Sequence, residues 1–400
     1  MGLYEFRLPK YSQLTDSQKI AVNEVNPIAL SGAPGTGKSV VSVWRHLYNT
    51  KNGKKSLLLT YTKTLSKSLE LVCRSEGNNK AAANVSRTQL FQYNNKGVFY
   101  DEIIVDEAQD MPCDFYHQIN SRAQTISYGA DGSQILYPDK ACNIECFKTK
   151  FSSKRYSTKS VEEVKERCLQ NIFEENEPAP LDRNYRNTYE IMSFVKSLFP
   201  ERAIPISLIN DLKNDSDKRG PKPVYHIINT LRGDYTENQN SYINKILEEY
   251  HSDGHNIALL VPFQNNVDDY FKVVKDLGYE CSSYKSDYED IDDIKNIHVT
   301  TFKSAKGLEF DTVIIPDFEK IRADLKKYNI TENDYYVAVT RARKNLYLVT
   351  TSTMINFDSN LVIMENSTSR TTSRIQPTRI VVEDSEDLPP EDDEQSDLPF

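Results

Sequence analysis

Short apolar runs alternate with stretches of helical periodicity along most of this chain. In the first half, residues 27–31, 56–60, 103–106 and 125–129 read as strands. In the second half, 256–261, 297–302, 312–315 and 345–350 do so. Near-continuous apolar strands separated by helical segments are the sequence form of parallel sheets covered by helices, so the pattern predicts an α/β protein with two lobes. The acidic, proline-containing stretch 174–180 marks the change-over, placing a first lobe at 1–177 and a second at 178–365. Beyond that the periodicity stops. Residues 366–379 are rich in Ser, Thr and Arg, and the remainder is acidic with Pro389 and Pro390, so 366–400 is expected to be a linker and a disordered tail.

The first strand runs directly into Gly32-Ala33-Pro34-Gly35-Thr36-Gly37-Lys38-Ser39. This is a complete phosphate-binding loop in its strand-to-helix setting. Gly32, Gly35 and Gly37 let backbone N–H groups approach phosphate oxygens, and the helix opening at Lys38 adds the positive end of its dipole. Lys38 supplies a point charge to the outer phosphates, and Ser39 offers a hydroxyl to Mg²⁺. The third strand ends in Asp106-Glu107, which delivers two carboxylates at the carboxyl edge of a parallel sheet, where ligands of such folds bind. Asp106 is suited to hold Mg²⁺ through its waters, and Glu107 to polarise an attacking water as general base. ATP with Mg²⁺ is the expected ligand pair.

Composition adds limits. The chain of 400 residues is 38% hydrophobic and 27% charged, which is ordinary for globular protein. No apolar stretch is long enough to cross a bilayer and no secretory signal opens the chain, so a cytoplasmic protein is expected, with no membrane partner. Cys73, Cys113, Cys142, Cys146, Cys168 and Cys281 lack the paired spacing of a zinc module and read as reduced thiols. The nine carboxylates of residues 383–400 match the whole formal net charge of −9, leaving residues 1–382 formally neutral. A neutral body has room for a local basic groove. The densest basic run, 148–167, reads either as a border of such a groove or as a solvated helix and loop.

Taken with the loop and the carboxylates, further segments in order along the chain resemble superfamily 1 helicases of the UvrD/Rep type. They are Leu14-Thr15-Asp16-Ser17-Gln18, Leu59-Thr60-Tyr61-Thr62, Asp131-Gly132-Ser133-Gln134, Asn184-Tyr185-Arg186, residues 301–310, and Val339-Thr340-Arg341-Ala342. The resemblance implies two RecA-like P-loop NTPase lobes that close on ATP. It implies that Gln18 reads the adenine edge, Tyr185 stacks on the base, and Gln134 senses the γ-phosphate. Arg186 and Arg341 resemble the arginine fingers of the family, supplied from the second lobe, while Gly307 and Glu309 resemble residues facing the nucleotide. Thr60, Tyr61, Thr301, Phe302 and Lys303 resemble contacts to single-stranded DNA, with core packing the alternative for the two aromatics.

Departures from the family pattern carry expectations of their own. Val40 stands where the family has a basic residue opposing Tyr185, and after Gln134, where the family has a tryptophan-arginine pair, the chain reads Ile135-Leu136-Tyr137, with Tyr137 the candidate substitute for the stacking aromatic. Lys303 replaces a histidine. The intervals Tyr61 to Asp106 and Arg186 to Thr300 are too short for the family's accessory domains, which points to a compact translocase with weak unwinding; the resemblance, and not these residues, implies movement in the 3′-to-5′ direction. An RNA-directed motor and a nucleotide-sensing regulatory subunit are the rival readings. The terminal Asp397-Leu398-Pro399-Phe400 resembles the tip of bacterial single-stranded-DNA-binding proteins, which docks in a partner's pocket. A solubilising tail and a self-inhibitory polyanion are its alternatives.

Overall fold

In a computed structural model of the chain, the described residues form thirteen strands in two parallel sheets. It describes residues 2–366 except 5, 89, 92–96, 112, 137–168, 170–172, 174, 203, 229–234, 253, 286–293, 324, 326, 327 and 352–355. Tyr137, the basic run 148–167 and the acidic tail with its Asp397–Phe400 tip therefore lie outside the described residues.

The first sheet comprises β1 (Ile28–Ser31), β2 (Ser56–Thr60), β3 (Val85–Arg87), β4 (Tyr100–Val105), β5 (Ala123–Gly129) and β6 (Glu177–Pro180) in the order β3-β2-β4-β5-β1-β6. The second holds β7 (Val224–Ile227), β8 (Ile257–Val261), β9 (Ser282–Tyr284), β10 (Ile297–Thr301), β11 (Phe310–Ile315), β12 (Ala342–Thr350) and β13 (Ile363–Asn366) in the order β13-β7-β12-β11-β8-β10-β9. Both lie within one compact unit, Met1–Ser367. This is the expected pair of RecA-like α/β lobes. All eight expected strands are present and occupy interior positions, where helices on both faces require an unbroken apolar run. Four of the five strands that were not expected are the sheets' edges, only three or four residues long. β6 even contains Pro178 and Pro180, which an edge tolerates because one side needs no ladder bonds.

β6 pairs with β1 from Ile28↔Glu177 to Ser31↔Pro180, so the chain leaves the first sheet after Pro180, inside the segment expected to open the second lobe. The other correction is larger. Leu3, Tyr4 and Arg7 lie on the second lobe although they were assigned to the first. Leu3 bridges to Lys295, the Tyr4 N–H donates to the Ile294 carbonyl at 2.7 Å, and Tyr4 packs at 5.5 Å on Phe310. Arg7 grips Asp311 with two bonds of 2.8 and 2.9 Å. The chain then reaches the first lobe, where the Trp44 indole donates to the Pro9 carbonyl at 3.0 Å. Burial of Tyr4 drives this crossing, because its ring fills the second lobe's core.

Helix α1 (Asp16–Asn23) starts with a capping box: the Thr15 hydroxyl accepts from the Gln18 N–H, and the Gln18 side-chain oxygen accepts from the Thr15 N–H at 3.1 Å. Helix α2 (Lys38–Lys51) follows the phosphate loop, and α3 (Lys63–Ser75) follows β2, capped by Thr62. All three begin beyond the carboxyl ends of the strands, or beside them, which is where the site forms.

Candidate active site

Three glycines shape the loop between β1 and α2. Gly35 and Gly37 adopt φ of 77° and 89°, in the left-handed region. A Cβ on Gly35 would sit 2.8 Å from the Arg186 Cβ and the Asn184 side-chain oxygen; one on Gly37 would sit 2.5 Å from the Gln18 Nε2. Only glycine fits so close an approach. Lys38 folds back over the loop, its Nζ donating to the Gly32 and Ala33 carbonyls at 2.6 and 3.1 Å, with Asp131 Oδ2 3.6 Å away.

β4 aims its carboxylates at this loop. Asp106 is 1% exposed, accepts a bond from the Ser39 hydroxyl, and has a second oxygen, Oδ2, with no hydrogen-bond partner. Burial and the neighbouring Glu107 charge push its pKa up to about 7, well above the usual carboxylate range. A buried carboxyl so placed beside a serine hydroxyl has the hard-oxygen donor set that Mg²⁺ takes, and the orphaned Oδ2 supplies the ligand position. Glu107 is held in left-handed backbone, φ 57°. Its Oε2 accepts from the Gln109 Nε2 at 2.6 Å and lies 3.2 Å from the Lys306 ammonium. Burial opposes its ionisation, but the fields of Lys306, Lys38 and Arg341 outweigh that and keep Glu107 charged.

From the other side come two guanidinium groups. Arg341, 1% exposed, leaves the turn before β12 and donates through Nη2 to the Gln134 side-chain oxygen at 2.5 Å, through Nε to Val337 O at 3.0 Å and through Nη1 to Leu308 O at 3.3 Å. Burial lowers its pKa to about 9, which leaves it cationic at neutral pH. Arg186 pairs with Glu309 at 3.1 Å. The turn that carries it is sewn to the phosphate loop, because the Tyr185 N–H donates to Gly35 O at 2.8 Å and Asn184 Nδ2 donates to Pro34 O at 3.0 Å. Asn187 joins that turn to the Arg341 turn, its amide donating to Thr340 O at 3.0 Å and Ala342 O at 2.6 Å.

One cleft is lined by Gln18, Gly35, Thr36, Gly37, Lys38, Ser39, Glu107, Gln134, Tyr185, Arg186, Gly307, Glu309 and Arg341. Gly32, Ala33 and Pro34 form the loop's first turn behind this wall, and Asp106 sits beneath it, reached through Ser39. The side-chain amide of Gln18 is engaged by Thr15 N–H and, at 3.4 Å, by Thr36 O, so it braces the loop as well as facing the cleft. Sequence reasoning missed Arg343, Phe6, Arg7, Pro9 and Gln13 in the lining. Arg343 carried a signal, since it lies two positions from Arg341, and it pairs with Glu309. The residues preceding α1 carried none.

Residues 27–256, more than half of the chain, match the family model described as Schlafen group 3, DNA/RNA helicase domain. The chain belongs to that helicase family. Residues 274–353 match the UvrD-like helicase C-terminal domain. A segment of 57 residues is 40% identical to the RecBCD enzyme subunit RecB of Chlamydia pneumoniae, covering 14% of this chain and 5% of that relative. Together these make the chain a superfamily 1 helicase of the UvrD/RecB kind. Among solved structures, the C-terminal domain of a possible DNA helicase from Lactobacillus plantarum WCFS1 aligns with TM-score 0.31 and 18% identity, over 45% of this chain and 98% of that one. The PRRSV helicase aligns with TM-score 0.41 and 13% identity, over 86% and 56%.

In this helicase the two segments expected to contact a strand meet at the carboxyl ends of β2 and β10. The Thr64 hydroxyl of α3 donates to Ser304 O at 2.8 Å, and Gly307 packs on Leu65. Thr60 is buried with its hydroxyl unpartnered, and Tyr61 packs against the first lobe's core. Thr301 caps its own turn, its hydroxyl donating to Ser304 Oγ at 3.0 Å, and Lys303 reaches the Asn329 and Leu136 carbonyls at 2.5 and 3.3 Å. Phe302 corrects the expectation of a strand contact: at 1% exposure it stacks edge-on against Tyr335 at 4.8 Å as a core residue. Among the described residues there is no cluster that could hold a metal through His, Cys and carboxylates together, and no helix long and apolar enough to cross a membrane.

Proposed function

We propose that this helicase hydrolyses Mg²⁺-bound ATP to move along single-stranded DNA in the 3′-to-5′ direction. The convergence of the phosphate loop, Glu107 and the guanidinium groups of Arg186 and Arg341 on one cleft, with Asp106 beneath it bonded to Ser39, carries the reading. Backbone N–H groups of residues 35–39 and the Lys38 ammonium bind the phosphates. Asp106 and Ser39 hold Mg²⁺, which when bound neutralises charge on the outer phosphates. Glu107 takes a proton from the attacking water, whose hydroxyl oxygen bonds to the γ-phosphorus as the bond to the β-phosphate oxygen breaks. Arg186 and Arg341 stabilise the charge that builds on the departing phosphoryl oxygens, and Gln134 ties Arg341 to the first lobe. Because the two halves of this machinery sit on different sheets, hydrolysis is coupled to their docking.

Steady-state ATP hydrolysis tests the proposal, measured with and without matched DNA and RNA oligonucleotides for the intact chain and for Glu107→Gln. Stimulation by DNA, with loss of roughly 10²–10⁴-fold in the variant, supports it. Stronger stimulation by RNA replaces DNA with RNA as the track. Strand-independent hydrolysis contradicts the motor reading and favours a regulatory subunit. The short intervals from Tyr61 to Asp106 and from Arg186 to Thr300 support a compact translocase, so little strand displacement is expected on tailed duplexes.

A further inference from the structure

Beyond its field on Glu107, Lys306 has been given no role above, yet it is 1% exposed and reaches out of its own lobe. It belongs to the turn after β10, and all three of its ammonium donors are used on the first lobe. They go to the Asp110 carboxylate, to the Gln134 carbonyl at 2.7 Å and to Glu107 Oε2 at 3.2 Å. Asp110 is itself anchored, its other oxygen accepting from the Leu136 N–H at 2.9 Å. The lysine therefore binds a rigid frame.

Glu107 Oε2 already receives the Gln109 amide at 2.6 Å. With Lys306 added, that oxygen is held by two donors, the carboxylate plane is fixed, and Oε1 is left to the cleft that Glu107 lines. On its other side Lys306 is bound to the turn that was expected to touch a strand. Its N–H donates to Lys303 O at 3.2 Å, and the Ala305 N–H donates to Thr301 O at 3.0 Å. Lys303 also seats on the first lobe, at Leu136 O. Displacing Thr301 or Lys303 therefore displaces Lys306.

We propose that Lys306 is a positioning residue through which the second lobe orients the general base of the first, so that Glu107 is correctly aimed only when the lobes dock and the 301–307 turn is seated. This rests on the reading of Glu107 as the base. It makes a strand bound at that turn a direct determinant of the base's geometry.

The test compares Lys306→Met, Lys306→Arg, Glu107→Gln and the Lys306→Met/Glu107→Gln pair in DNA-stimulated ATP hydrolysis. Lys306→Met is expected to lower kcat by roughly 10–100-fold with KM for ATP within about twofold, since it removes orientation and not binding. Lys306→Arg recovers part of the loss. Adding Lys306→Met to Glu107→Gln has no further effect, because the lysine acts through that carboxylate. Should Lys306→Met not fold with Asp110 left unpaired, Lys306→Met/Asp110→Asn removes both charges and carries the same expectation for kcat. Wild-type kcat in the Lys306 variants beside an inactive Glu107→Gln overturns this inference alone. Multiplicative losses in the pair also overturn it. An active Glu107→Gln overturns the assignment of the base, and this inference with it.

Discussion

Asn187 is fully buried and holds two functional turns together without touching the cleft. Its Nδ2 donates to Thr340 O and Ala342 O, on either side of Arg341, and its Oδ1 accepts from Asn184 Nδ2 at 3.0 Å. Asn187→Ala deletes three buried hydrogen bonds and strands two carbonyls; at about 1 kcal/mol each, with a desolvation penalty for the groups left bare, the loss is about 3–4 kcal/mol of stability. Asn187→Asp is expected to be worse, because it replaces the donor with an acceptor facing two carbonyl oxygens and buries a charge among them. Release of the Arg341 turn misplaces a guanidinium by about 1 Å, which costs roughly 100-fold in kcat. Urea unfolding and steady-state ATP hydrolysis read the two effects. An unchanged unfolding midpoint refutes the hydrogen-bond argument, and a destabilised variant with undiminished kcat refutes the claim that this asparagine sets the position of Arg341.

Gly37→Ala places a methyl 2.5 Å from Gln18 Nε2 at a φ of 89°, so nucleotide binding is expected to weaken by at least about tenfold in equilibrium titration. Asp106→Asn removes a buried carboxylate whose Oδ2 has no partner; it is expected to raise the Mg²⁺ concentration needed for half-maximal hydrolysis while raising the unfolding temperature without Mg²⁺. Burial drives His46 and His298 down to about 4 from 6.5, so the unfolded chain protonates first as pH falls. Their contribution is complete above pH 6.5 and lost toward pH 4, about 2 kcal/mol each by pH 5, and equal urea midpoints at pH 7 and pH 5 would refute it. Arg7→Ala, which frees the segment bound to Asp311, is expected to expose residues 2–9 to limited proteolysis while leaving the two sheets resistant.

The interior strands were legible because burial on both faces demands an apolar run, as in Leu57-Leu58-Leu59 of β2. The edges were not, because a short strand paired on one side carries no such demand. The nucleotide site was legible where its chemistry is local: the loop, Asp106-Glu107, and the Asn184-Tyr185-Arg186 turn. Lys306 and Arg7 were not, since their partners lie 196 and 304 positions away along the chain. Phe302 was turned the wrong way for a related reason. β10 is buried along its whole length, so no alternation separates a face toward a ligand from a face toward the core.

The account stands on hydrolysis drawing on residues of both lobes. Arg341→Ala addresses this most directly, with Mg²⁺-nucleotide affinity and DNA-stimulated kcat measured on the same preparation. The account predicts affinity within about tenfold of the intact protein and a fall in kcat of roughly 10³-fold or more. An Arg341→Ala protein that hydrolyses ATP at the intact rate would contradict it.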